Sequence, residues 1–214
     1  DSRASYLGMN KIASRKIFEK EEISIPGYRV LNRENFTEID FSSPCVVKPA
    51  RGGSSIGVSI VEDKKELRKA IDLAFNYDKE IIVEEYIPGK EITVGILEDS
   101  PLPVIQIVPQ KKFYSYEAKY YDKKTRYLLP APIDKKLQGK AQLQALRAHK
   151  ALGCTGFSRV DMILDKSGMP VVLEVNTIPG LTSRSLLPKA AQAVNIDFPQ
   201  LCLKILKSSF KNNV

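Results

Sequence analysis

The spacing of apolar and polar positions changes along the chain, and each change marks an element. Residues 7–22 place Leu7, Ile12, Ala13, Ile17 and Phe18 near helical spacing, which predicts an amphipathic helix. Pro26-Gly27 then turns the chain into a short strand, "YRVL" (28–31), and a polar link leads to a second, "CVVK" (45–48). That strand runs through "PARGGSSIG" into a third, "GVSIV" (57–61). Asp63 and Glu66 form a capping-box pattern ahead of Leu67, Ala70, Ile71, Ala74 and Phe75, which predicts a helix. "EIIVEEY", a break at Pro88-Gly89 and strand-like runs at 91–97 and 102–108 follow. Residues 109–133 are aromatic, charged and irregular, and loops of this length are usually functional or disordered. A helix over roughly 134–152, the strand "FSRVDMIL", the turn "DKSG" and the strand "PVVLEVN" come next. Asp197-Phe198-Pro199 opens a terminal helix with Leu201, Cys202, Ile205 and Leu206 on one side. Strands and helices joined by hairpins, without an internal repeat, predict an α+β fold.

The stretch "LEVNTIPG" (173–180) places Glu174 and Asn176 on one face of an apolar strand. If Asp165 and Pro170 flank a four-residue turn, Val160 opposes Val175, Met162 opposes Leu173, and Leu164 opposes Val171. The same register sets Asp161 opposite Glu174 and Arg159 opposite Asn176. Opposed carboxylates sit about 5 Å apart at Cβ and repel unless something positive lies between them. Hard oxygen donors in this arrangement suit Mg²⁺, and Arg159 can face phosphate oxygens from the same surface. An exposed hairpin face with one Arg–Glu pair accounts for these residues equally well at this point.

"VVKPARGGSSIG" is neither a Walker A motif nor a dinucleotide fingerprint. Gly52, Gly53, Ser54 and Ser55 could present backbone and hydroxyl donors to phosphates as a hairpin lid, with the Lys48 charge nearby. Taken alone, an ordinary flexible hairpin loop is the better reading. Glu84, Glu85 and Glu91 surround the turn in "VEEYIPGKE", and carboxylates near a nucleotide would accept from the base amine or ribose hydroxyls. Surface glutamates are commoner, but donors, acceptors and metal ligands on successive strands change the balance.

Composition narrows the partners. The 214 residues are 43% apolar and carry 33 basic against 25 acidic side chains, a net charge of +8. The lysines are scattered, with small clusters at Lys111-Lys112, Lys123-Lys124 and Lys135-Lys136, and no aromatic/basic platform accompanies them. Nucleic acid is therefore not an expected partner. No apolar run reaches the length of a bilayer span and no leader pattern opens the chain, so a soluble cytoplasmic protein without a membrane partner is expected. Cys45, Cys154 and Cys202 are odd in number and far apart, against a disulfide scaffold or zinc site. His149, within a Lys/Arg-rich helix, is expected at the surface.

"VKPARGGSSIGVS", "FYSYEAKY", "LGCTGFSRVDM" and "LEVNTIPGLTSRSLLP" occur in this order, and with them the chain resembles the ATP-grasp enzymes, specifically the D-alanine–D-alanine ligase family. The resemblance covers essentially the whole chain. It implies two α+β subdomains with the nucleotide between them: 1–88, with a glycine-rich lid, and 89–214, with a metal site and a long substrate loop. It also implies roles at matching positions. Lys11 and Lys48 would hold ATP phosphates, with Ser54 and Ser55 in the lid. Glu84 and Glu91 would bind adenine and ribose, with the Glu85–Ile87 backbone alongside. Asp161, Glu174 and Asn176 would bind two Mg²⁺ ions, with Mn²⁺ as a substitute. Arg159 and the Gly180 backbone would stabilise the tetrahedral intermediate and phosphoryl group, and Ser185 and Leu186 would hold the carboxylate of the second D-alanine. Lys119 and Tyr120 would belong to the long loop, Lys119 serving the nucleotide and Tyr120 tying the loop to Ser54.

The implied activity is ATP-dependent ligation of two D-alanines through an acyl phosphate, a step of peptidoglycan precursor synthesis. A D-alanine–D-lactate ligase, or an ATP-binding module without turnover, are the alternatives. A homodimer stays open. The family's N-terminal domain, which helps hold the first D-alanine, has no counterpart here, so the resemblance implies an incomplete substrate pocket and weak or absent turnover.

Overall fold

The structure, a computed structural model, describes residues 2–34, 36, 41–109 and 125–211. Asn10 divides the helix expected at the start into α1 (Ser2–Met9) and α2 (Lys11–Lys20). Its backbone is extended, and its side-chain oxygen accepts from the Ala13 amide at 3.1 Å, capping α2. Then come β1 (Tyr28–Asn32), β2 (Cys45–Pro49), β3 (Ser59–Val61), α3 (Leu67–Phe75) and β4 (Glu80–Glu85). The second half contains β5 (Gly89–Leu97), β6 (Ser100–Pro101), β7 (Ile105–Val108), β8 (Arg126–Leu128), α4 (Lys135–Ala151), β9 (Phe157–Asp165), β10 (Pro170–Asn176), α5 (Leu186–Gln192) and α6 (Phe198–Lys211). The architecture is α+β, as the alternating pattern predicts.

The strands form two sheets, ordered β1-β4-β2-β3 and β10-β9-β5-β7-β8, with β6 hydrogen-bonded to β5. In the first sheet, Cys45, Val47, Ile81 and Val83 pack under α3 with Ile71 and Phe75. Strand alternation turns Val46, Lys48, Ile82 and Glu84 to the opposite face. In the second sheet, Ile92, Val94, Val160 and Met162 form a core with α4 that also takes in Ala4, Phe18 and Ile23 from the beginning of the chain. The other face of that sheet is divided. Leu97 packs with Leu187 and Leu201 of α5 and α6 at one end, whereas Thr93 and Asp161 meet at the other.

The β9–β10 register holds at the Asp161–Glu174 end and fails beyond it. Asp161 pairs with Glu174, Val160 with Val175 and Arg159 with Asn176, as the pattern predicts. Met162, however, pairs with Val172, and Ile163 with Val171, because a bulge at Leu173 breaks the ladder. The extra residue lets both Val172 and Val175 enter the core while Leu173 and Glu174 both face away from it.

Three other expectations are corrected, and one helix was not anticipated. His149 is fully buried, its Nδ1 2.7 Å from Ser158 Oγ, because its helix face packs on β9. Asp63 accepts from the Lys65 amide at 3.0 Å and opens a short 3₁₀ turn, in place of the capping box. Leu206 is 53% exposed, so Leu201 and Ile205 alone of the expected apolar set anchor α6 in the core. The helix α5 was hidden by the Ser/Thr-rich stretch before it and the Pro188 inside it. Among the described residues, no helix is long and apolar enough to cross a membrane.

Gly89 sits where β5 meets β9, and a Cβ there would lie 2.3 Å from the Leu164 carbonyl oxygen and 2.6 Å from Ile163 Cγ2. Backbone cannot yield as a side chain can, so Gly89→Ala should cost about 1–3 kcal/mol. Gly139, inside α4 with open space around it, is the control; Gly139→Ala should stabilise by up to about 1 kcal/mol. Urea midpoints moving in opposite directions for the two variants would bear this out, and equal midpoints would contradict the close approach at Gly89.

Candidate active site

The two sheets enclose a cleft of about 360 Å³. Of the sequence candidates, Lys11, Lys48, Ser55, Glu84, Glu85, Ile87, Glu91, Asp161 and Glu174 line it. Residues from the β7 end, Gln106 to Pro109, complete the wall.

Its floor is a buried charge cluster. Glu84 is 3% exposed; its Oε1 accepts from Lys48 Nζ at 2.5 Å and its Oε2 from Arg15 at 2.7 Å. Arg15, 1% exposed, also donates to the Val172 carbonyl at 2.9 Å. Burial alone would raise the Glu84 carboxyl, but Lys48 and Arg15 outweigh it and hold the group below the usual carboxylate range. Burial pushes Lys48 down to about 8; Glu84 opposes the fall, while Arg15 and Lys11 add to it. The cluster thus carries more cations than anions, an arrangement suited to phosphate.

Arg15 is absent from the sequence candidates. Its signal is the spacing Lys11-x-x-x-Arg15, which sets both cations on one face of α2, the face that also buries Ser14 and Phe18. The Lys11 amide donates to the Ala50 carbonyl at 2.9 Å, and its ammonium donates to the Gly52 carbonyl at 2.8 Å, at the root of the glycine-rich loop. Gly52, Ser54 and Ser55 all have positive φ, at 103°, 57° and 59°. Two successive serines in the left-handed region mark a strained turn held by its surroundings. Arg51 anchors the loop through Asp78 and Glu80. Ser54 stands beside Ser55 but is not part of the cleft wall.

Across the cleft, Asp161 is 7% exposed and fully engaged. Its Oδ1 accepts from Thr93 Oγ1 at 2.7 Å and Arg159 Nε at 2.9 Å; its Oδ2 accepts from Arg159 at 2.7 Å and Asn176 Nδ2 at 2.9 Å. Four donors use a carboxylate's acceptor capacity, so a cation binding Asp161 would replace at least one of them. Asp161, Glu174 and Asn176 supply hard oxygen donors from adjacent register positions, which fits Mg²⁺. Among the described residues, no cluster of three or more His, Cys, Asp or Glu converges as a metal site. Thr93, another residue the sequence reading did not single out, was concealed inside the apolar run "ITVGIL".

The remaining candidates form a separate group beyond the hairpin. A Cβ at Gly180 would lie 2.9 Å from Ser185 Oγ, and the Thr182 amide donates to that same Oγ at 3.1 Å. Ser185 is the N-cap residue of α5, and Leu186 is buried in the cluster beneath it. Glu85 is exposed and accepts from the Gly27 amide at 3.2 Å. Lys119 and Tyr120 lie outside the described residues.

A family model described as "D-ala D-ala ligase C-terminus" matches residues 17–207. The chain belongs to the D-alanine–D-alanine ligase family. The ligase of Syntrophotalea carbinolica is 47% identical over 206 residues, covering 95% of this chain and 67% of that protein. The ligase of Nitrosomonas eutropha is 44% identical over 209 residues, 96% of this chain and 68% of its own length. The chain therefore spans about two thirds of the length of these relatives. The crystal structure of the Bacillus anthracis D-alanine–D-alanine ligase matches with TM-score 0.87 and 38% identity, covering 99% of this chain and 70% of that one. Its complex with ATP matches with TM-score 0.83 and 34% identity, covering 99% and 69%. The VanG D-Ala:D-Ser ligase from Enterococcus faecalis matches at 0.84 with 37% identity, covering 97% and 63%. The fold is thus the ATP-grasp fold of the D-alanine–D-alanine ligases.

The lowered Lys48 predicts a pH dependence. Below about 8 its ammonium is charged and available to an anion; above that it loses its proton, and binding a polyanion then requires proton uptake. ATP affinity should be flat on the acid side and fall by up to about tenfold per pH unit on the alkaline side. Lys48→Arg, whose charge persists, should flatten the alkaline limb in a calorimetric titration series. A limb unchanged by Lys48→Arg would remove Lys48 from the phosphate site.

Proposed function

We propose that this chain binds ATP with Mg²⁺ in the cleft between the sheets and uses it to activate a D-alanine carboxylate for ligation to a second D-alanine. The observation that carries the reading is the placement of the Lys11–Lys48–Glu84 floor and the Asp161–Glu174 hairpin on opposite walls of one cleft. Lys11 and Lys48 bring positive charge to the phosphates, and the Ser54–Ser55 turn offers donors above them. Glu84 and Glu91 accept from the adenine amine and ribose hydroxyls, with the Glu85–Ile87 backbone beside the base. Asp161, Glu174 and Asn176 would hold Mg²⁺, which neutralises developing phosphate charge when bound. Arg159 presents a guanidinium that cannot lose its proton to the transferring group.

A bare carboxylate is a poor acyl donor, and converting it to an acyl phosphate supplies a leaving group for attack by the second amine. The Gly180 backbone and Ser185, with Leu186 opening α5, lie past the end of the metal hairpin and would receive that second amino acid. The protein's part is positioning and charge neutralisation. The chain divides functionally near Pro88-Gly89, with the lid and cation floor largely before that point and the metal hairpin after it.

Glu174→Gln keeps the shape of the side chain and removes its charge. Mg²⁺ should tighten ATP binding to the unaltered protein by at least about tenfold, and the variant should lose most of that gain with its melting midpoint unchanged. Equal Mg²⁺ dependence in both proteins would take Glu174 out of the metal site. ADP release on adding D-alanine separates a ligase from a binding module.

A further inference from the structure

We propose that Arg15 is a positioning residue that fixes Glu84 for reading the adenine base and ties it to the strand that carries Glu174. The inference rests on the reading of the cleft as an ATP site. One guanidinium joins both sheets here: it donates to Glu84 Oε2 on β4 at 2.7 Å and to the Val172 carbonyl on β10 at 2.9 Å. Val172 is the last regularly paired residue before the Leu173 bulge, and Glu174 follows that bulge directly. The three groups are almost entirely closed to solvent, Arg15 at 1%, Glu84 at 3% and Val172 at 0% exposed.

Without Arg15, Glu84 would keep Lys48 alone, a single ammonium that fixes a direction but not a plane. A guanidinium held at its other end by backbone gives the second anchor, at Oε2, so that with Lys48 at Oε1 the carboxylate's rotation is set as well as its charge. Reading a base depends on that rotation. Adenine offers a 6-amino donor to a carboxylate, whereas guanine offers a 6-oxo acceptor that a carboxylate repels. Discrimination therefore requires Glu84 to present its acceptors at one place, ionised, and a carboxylate free to turn would accept from other donors instead.

The cation has a second effect. Arg15 is one of the charges that hold down Lys48. Removing the charge should move the alkaline limb of ATP binding upward, and replacing it with another charge should not.

The test measures ATP and GTP affinity with Mg²⁺ across pH in the unaltered protein, Arg15→Lys, Arg15→Met, Glu84→Gln and the Arg15→Lys/Glu84→Gln double variant. Arg15→Lys should lower the ATP-to-GTP affinity ratio by about tenfold and leave the alkaline limb in place. Arg15→Met should lower the ratio and shift the limb to higher pH. In the Glu84→Gln background, Arg15→Lys should change the ratio no further, because both act on one contact. A merely structural Arg15 would lower the melting midpoint and leave the ratio and the limb unmoved. If Arg15→Met fails to fold, the charge-preserving Arg15→Lys decides. A preference for ATP in the unaltered protein that survives intact in Arg15→Lys overturns the inference alone; no preference in the unaltered protein overturns the reading of the cleft and this inference with it.

Discussion

Burying Glu84 between Arg15 and Lys48 removes three ions from water, a cost recovered only when each finds close, well-aligned partners. Here both carboxylate oxygens are matched and the guanidinium also donates to a backbone carbonyl of the other sheet, though its buried Nε has no hydrogen-bond partner among the described residues. The constraint is therefore mutual. Moving either sheet would break one of the two Arg15 bonds in a place closed to water, so the residue that helps satisfy Glu84 also ties the walls of the cleft together. The arrangement is weak evidence for stability, since apolar groups of similar volume can do as well in such places. It is stronger evidence for a site, because the cluster keeps an excess of positive charge that an apolar replacement would not provide.

The opposite wall obeys a different constraint. A regular strand alternates strictly, so it cannot send Val172 and Val175 to the same side. The bulge at Leu173 breaks the alternation once, and both valines reach the core while Glu174 stays opposite Asp161. Bulges of this kind re-aim side chains beside active sites. Asp161 is then gripped by Thr93, Arg159 and Asn176, donors from three adjacent strands, which fixes its carboxylate.

The legible parts of this fold were those governed by repetition. The β9–β10 hairpin could be read because apolar alternation and the turn agree at its chemical end, and the Asp161–Glu174 pairing follows from the Val160–Val175 pair beside it. The bulge could not be read, because Val171, Val172 and Leu173 are interchangeable as apolar letters. Asn10 was legible only as part of a helix, although it is a strong cap. His149 was misplaced for a similar reason: lysines and arginines around it describe the outer face of α4, while His149 lies one step around on the inner face with Ala145 and Ala148. Charge cannot be assigned to a face from composition. Arg15 shows the same limit in reverse, since a basic residue on an amphipathic helix reads as solvent-facing until the second sheet supplies its partners.

The glycine-rich loop joins these constraints. Its base is fixed, since Arg51 is paired with Asp78 and Glu80 and the Lys11 amide is bonded to the Ala50 carbonyl. Its turn is strained, with Ser54 and Ser55 both at positive φ. Between the two, the Lys11 ammonium donates to the Gly52 carbonyl. A carbonyl offers the ammonium a dipole where a phosphate offers a full charge, so the Coulomb attraction favours exchanging one for the other. Gly52, at φ 103° with no atom within 4 Å of where a Cβ would sit, has room to move if Lys11 exchanges its carbonyl for an anion. The loop is therefore divided into an anchored base and a tip that is unstrained and open at Gly52.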